Sequence, residues 1–157
     1  MAKRHAHPHR FLSAEEAQRV VDAIGDAEAK SHGEIRVHVE KRCKGGDPVA
    51  RAKVVFEKLG MTRTELRCGA LIYLATEHRL FAVIGDRGIH ERVGDDFWTG
   101  AVAAMQQRFA AGEFAEGLVE AIGRIGDALV AHFPRDAGGA DVDELPNEIS
   151  FGDETAQ

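Results

Sequence analysis

Between Gly85 and Asp96 the chain reads GDRGIHERVGDD, and its three aspartates are the side chains best suited to chemistry. Asp86 stands just inside the first glycine, and Asp95 and Asp96 close the stretch. Hard cations such as Ca²⁺ or Mg²⁺ take oxygen ligands of this kind, completed by backbone carbonyls and water. Glu34, at the start of a separate extended run, is a further candidate, so the expected cation set is Asp86, Asp95, Asp96 and Glu34. Arg87 and His90 lie in the same stretch. A guanidinium can pair with a phosphate oxygen, and an imidazole that titrates near neutrality can serve as a general acid. The same residues also have plainer uses: Asp86 in an Asx-turn, Asp95 and Asp96 as helix caps, His90 as a surface turn residue. GDRG is not GxGxxG, lacks the lysine and hydroxyl of a phosphate loop, and matches no EF-hand loop. HExxH spacing for zinc and a GxSxG serine elbow are both absent from the sequence.

The elements that must position these residues are legible from periodicity. Leu71–Ala75 and Leu80–Ile84 are short continuous apolar runs joined by the polar Thr76–Arg79. This reads as a hairpin of two strands in the middle of a sheet with helices on each side. Gly85–Gly94 follows the second strand, and ligands of open α/β sheets gather beyond the carboxyl ends of strands. A helical turn around Ile89–Val93 is expected, then a helix capped by Asp95 or Asp96 with Trp98, Val102, Met105 and Phe109 on its apolar face. Upstream, Ser13 and Glu16 form a capping box, and Phe11 and Leu12 precede it as a hydrophobic staple. Ala17, Val20, Val21, Ile24 and Ala27 continue that helix as one stripe. In Glu34–Glu40, Ile35, Val37 and Val39 alternate with Arg36, His38 and Glu40, a strand with one covered face and His38 on the surface side. Asp47 and Pro48 open another helix, with Ala52, Val55, Phe56 and Leu59 inward and Gly60 at its stop. A final helix carries Phe114, Leu118, Ile122, Ile125 and Leu129, and its Gly117, Gly123 and Gly126 suggest close approach to a neighbour. Pro134 ends it.

At 157 residues the chain has the length of one domain with a single core. The expected division is a flexible arm over 1–10, an α/β domain over 11–134 and an acidic tail over 135–157. That tail holds seven acids against one Arg and so carries the whole net charge of −6. With no basic cluster after Arg10, nucleic acid is not an expected partner. His5, His7 and His9 alternate in the arm, which reads as an incidental polar segment. Cys43 and Cys68 form no CxxC pair and are expected as free thiols in a reducing compartment. No stretch is long and apolar enough to span a bilayer, and MAKRHAHPHR has no apolar segment after its charges, so a cytoplasmic location is expected.

With Gly69–Ala75, Phe81–Gly88, Val93–Trp98 and FAAGEFAEGL in order, the chain resembles the TPM-domain family, closest to its stand-alone bacterial members. FLS, GEIRVH and HFP extend the likeness, which covers Phe11 to Pro134, and LPNEISFGD, which also occurs in relatives, implies that residues 144–153 of the tail dock. The resemblance implies a three-layer α/β/α sandwich with a small mixed central sheet, in agreement with the residue-level reading. It also implies a shallow divalent-cation site built from loop carboxylates, matched here by Asp86, Asp95 and Asp96, with Glu34 as a weaker candidate. Cys68 stands where relatives often have Asn, and His78 where they have Asp or Asn. The function expected from both lines is a cation-binding regulatory or interaction module, with a protein partner linked to membrane or envelope maintenance. The alternative is a cation-dependent acid phosphatase acting on phosphomonoesters through Arg87 and His90.

Overall fold

The structure, a computed structural model, describes residues 8–135 and 147–152. Most of the arm, residues 136–146 with Leu145, and the last five residues lie outside the described residues. A 3₁₀ turn over Pro8–Arg10 leads to α1 (Ala14–Glu28), β1 (Glu34–Glu40) and α2 (Pro48–Lys58). After a 3₁₀ turn at Met61–Arg63 come β2 (Gly69–Ala75), β3 (Leu80–Gly85), α3 (Arg87–Val93), α4 (Asp95–Ala110), α5 (Phe114–His132) and β4 (Ser150–Phe151).

Local chemistry sets the helix starts. Ser13 Oγ accepts from the Glu16 amide while Glu16 Oε1 accepts from the Ser13 amide, at 3.1 and 3.0 Å. Both orphan donors of the first turn are thereby satisfied. Asp47 caps α2 through the amides of Val49 and Ala50, with Pro48 in the first turn. Gly60 follows α2 at φ 72°, the left-handed conformation that favours glycine at a helix stop. Phe11 is buried and packs edge-on against Phe114 of α5, with ring centroids 4.9 Å apart.

The sheet has the order β3-β2-β1-β4. β1 is parallel to β2 and to β4, and β2 is antiparallel to β3. One face carries Ile35, Val37, Val39, Ala70, Ile72 and Leu74 into a core closed by α1, α4 and α5. The opposite face carries Leu71, Tyr73, Ala75 and Ala82 against Ala52, Val55 and Phe56 of α2. This is the three-layer sandwich with a mixed sheet that the sequence predicts.

Two strand assignments change. β3 is an outer strand, not a central one, because nothing among the described residues pairs with its far side. Its apolar run reflects cover by helices on both faces, which periodicity cannot distinguish from a central position in the sheet. β1 has no solvent face: Arg36, His38 and Glu40 are 7%, 6% and 1% exposed. The strand lies between β2 and β4, and Arg51 of α2 reaches its end at Glu40, so His38 is an interior residue.

Candidate functional site

The two ends of the sheet carry different chemistry. At the amino ends of β1 and β2 sits the turn after β3. There, Asp86 is 7% exposed and both its carboxylate oxygens are taken by one guanidinium. Arg67 donates from Nε to Oδ2 at 2.6 Å and from Nη2 to Oδ1 at 2.8 Å, the fork geometry that favours Arg on carboxylates. Oδ1 also accepts from the Arg87 amide at 2.8 Å, which caps α3. Arg67 itself holds a left-handed backbone at φ 53°, a costly conformation for a residue with a side chain.

The glycines of GDRG have steric work. A Cβ on Gly85 would come within 2.3 Å of the Trp98 ring, and one on Gly88 within 2.3 Å of the Leu66 carbonyl oxygen. The Gly88 amide donates to the Arg67 carbonyl at 2.9 Å. The motif thus lets α4 close on the end of β3 and α3 on the loop before β2, with the Arg67–Asp86 pair as the latch.

The other predicted residues are placed as follows. Asp95 and Asp96 are exposed first-turn residues of α4, whose N-cap is Gly94. His90 Nε2 lies 3.3 Å from Asp95 Oδ1, a carboxylate 92% exposed. His90 Nδ1 is 2.9 Å from Trp98 Nε1, and because an indole N–H only donates, Nδ1 is the acceptor and Nε2 carries the proton toward Asp95. Arg87 is exposed. Glu34 is 3% exposed and stands in register with Gly69 at the start of β1. Among the described residues no three His, Cys, Asp or Glu side chains are grouped as a metal site would require. With Asp86 already neutralised by Arg67, this arrangement does not fit a cage of several carboxylates around one cation. His90 and Asp95 instead line one end of a cleft of about 520 Å³ between β3, α2 and α4, together with Lys53, Val83 and Trp98. A second cleft of about 320 Å³ continues along β3 past Phe81, Val83 and Val102. Val49, Val83, Trp98 and Thr99 line both, so the two form one groove along the strand.

The carboxyl ends of the parallel strands lie at the other pole, because β3 runs antiparallel to β2. A polar network that the sequence reading missed occupies it. Glu40 accepts from Arg51 Nε at 2.8 Å and Nη2 at 3.0 Å, from His38 Nε2 at 3.2 Å, and from the Tyr73 hydroxyl. Burial alone would raise the Glu40 carboxyl, but hydrogen bonds from His38, Arg51 and Tyr73 outweigh it and hold the group at about 2. Burial and the adjoining carboxylate push the Tyr73 phenol well above its usual range, so it stays a neutral donor. His38 Nδ1 lies 2.9 Å from Ser150 Oγ, tying the short β4 to β1. One signal in the sequence pointed here: Arg36, His38 and Glu40 form a charged row on one face of an otherwise apolar strand, which needs partners if that face is covered.

A family model described as the TPM domain matches residues 7–128. The chain is similar to the BA42 protein of Bizionia argentinensis, whose NMR structure it matches at 46% identity and TM-score 0.83, over 94% of this chain and 100% of that one. It shares its fold with the N-terminal domain of the cg2496 protein of Corynebacterium glutamicum, at 18% identity and TM-score 0.59, over 75% of this chain and 74% of that one. The N-terminal domain of a P. gingivalis protein also shares it, at 18% identity and TM-score 0.66, over 80% and 83% of the two chains. No curated protein matches the chain. Among the described residues no helix is long and apolar enough to cross a membrane.

Proposed function

The chain belongs to the TPM domain family, and on that premise we propose that it is an interaction module that receives an extended segment of a protein partner along the open edge of β3. One observation carries the reading: among the described residues β3 is an outer strand, and its unpaired side opens into a groove between α2 and α4. The Asp86 amide donates to the Gly69 carbonyl, which fixes the alternation of the antiparallel pair. Ile84 and Ala82 then bond to β2, and the N–H groups of Phe81, Val83 and Gly85 point outward. An added strand would satisfy those groups, and the groove beside Val49 and Trp98 would take alternate side chains. Such edges are ordinarily blunted or covered, since an open one is a template for pairing.

A divalent cation, Ca²⁺ or Mg²⁺, belongs to this proposal as a weakly held auxiliary at Asp95 and Asp96, both exposed in the first turn of α4, with Asp95 lining the groove. The partner is sought in the cytoplasm, among proteins that maintain the membrane or envelope, as the family resemblance implies. The alternative, a cation-dependent acid phosphatase, would draw on Arg87 and His90 in the same loop. Ca²⁺-dependent turnover of a generic phosphate ester, lost in His90→Ala, would favour it over the interaction module.

The test is a peptide library panned against the protein, with a selected peptide mapped by amide chemical shifts. Shifts are expected along Phe81–Gly85 and across the groove at Val49 and Trp98. Val83→Pro removes an outward N–H without breaking the pairing to β2, and should weaken binding by about tenfold or more. Peptide binding indifferent to Val83→Pro would sink the reading.

A further inference from the structure

The pole away from the Gly85–Asp86 turn holds a cleft at the carboxyl ends of β1 and β4, and we propose that it binds a small free dianion of the phosphate or sulfate type. This inference is independent of the β3 groove. The chain leaves β1 for α2 and β2 on one side, while β4 lies on the other. In open α/β sheets such a reversal of strand order leaves a crevice in which ligands bind. Here the crevice is a cleft of about 230 Å³.

Its charge is one-sided. Among the described residues Arg42, Lys44, Arg51 and Lys58 line it, against the single carboxylate of Glu40. Glu40 is 1% exposed, and its oxygens are committed to Arg51, His38 and Tyr73. It therefore holds Arg51 in place and offers no free negative charge to the cleft. Arg51 spends Nε and Nη2 on that fork, which leaves Nη1 to donate to a second acceptor. Arg42 is drawn to Glu77, with Nε 2.7 Å from Oε2, and contributes less. Lys44 and Lys58 are exposed and have no ion-pair partner among the described residues. Val55 and Leu59 supply apolar wall on the α2 side, which keeps the field of these cations from being fully screened. A dianion seated between Lys44 and Lys58, with Arg51 behind it, matches the excess charge. A monoanion would leave it half compensated, and a cation would be repelled.

The experiment is a titration of the ¹⁵N-labelled full chain with sodium sulfate and, separately, sodium phosphate at pH 7.5, against sodium chloride of matched ionic strength. Saturable shifts are expected at residues 38–44, 51–59 and 150–152 with sulfate or phosphate and not with chloride. The double variant Lys44→Glu/Lys58→Glu changes two exposed side chains. It should raise the apparent Kd by about tenfold or more. Shifts that fail to saturate, that chloride reproduces, that map away from the cleft, or that persist unchanged in the double variant would overturn the proposal. Should the double variant unfold, Lys58→Gln alone serves, with a smaller loss of affinity expected and an unchanged Kd counting against the site.

Discussion

Glu40 and Asp86 are both buried carboxylates gripped by an arginine, yet they answer to different tests. The Glu40 carboxyl titrates at about 2 when folded, below its ordinary 4.5. A group depressed by folding binds fewer protons in the native state, so its contribution is complete above the unfolded value and is lost as pH falls toward the folded one. The urea midpoint of the wild type should therefore drop between pH 5 and about pH 2. Glu40→Gln should be less stable at pH 7 and show a shallower drop; an equal slope in both would place the acid sensitivity elsewhere. For Asp86, the guanidinium of Arg67 is 31% exposed. Solvent reaches one partner, so Asp86→Asn should cost about 2 kcal/mol, less than the ~3–5 kcal/mol of breaking a fully buried pair. In a chain of this size that is a fall in Tm of roughly 4–8 °C. A Ca²⁺-dependent rise in Tm that vanishes in Asp86→Asn but survives in Asp95→Asn would make Asp86 a cation ligand and displace the latch reading.

At the scale of elements, the glycines separate by what surrounds them. A Cβ on Gly117 would meet the Phe109 ring at 2.7 Å, and one on Gly126 would meet the Ala27 Cβ at 2.8 Å. These two explain how α5 approaches α4 and α1. Gly123 has nothing within 4 Å, so close packing does not account for it. Gly123→Ala should raise stability by up to about 1 kcal/mol through helix propensity. Gly88→Ala, facing a backbone oxygen that cannot swing aside, should lower it by about 1–3 kcal/mol. Thermal melts of the two variants check both signs, and a stabilising Gly88→Ala would refute the close approach of α3 to the loop before β2. Helix starts were legible because a cap and its partner lie three residues apart, as Ser13 and Glu16 do. The edge position of β3 was not, since its run of apolar residues reads like that of a central strand, although only Ala82 and Val83 are buried.

Across the whole molecule, the antiparallel hairpin decides which chemistry meets which surface. A reading that places a ligand after the second strand assumes that this strand points the same way as β1. It points the other way, so Asp86 lies at the amino ends of β1 and β2, while Glu40 stands at a carboxyl end with Arg51, Tyr73 and Ser150. The groove along β3 and the cationic cleft consequently sit at separate places on the sheet, and each can be lost without the other. The sequence by itself determined the order of helices and strands, their caps, the mixed three-layer architecture and the family, because each rests on contacts within a few residues or on motifs read in order. Only the tertiary structure decided that Arg67 would claim Asp86, that β3 would be the outer strand among the described residues, and that His38 would be sealed between Glu40 and Ser150. Those outcomes depend on which distant segments meet. Alternation along a strand shows that it has two faces, but not what comes to cover the second.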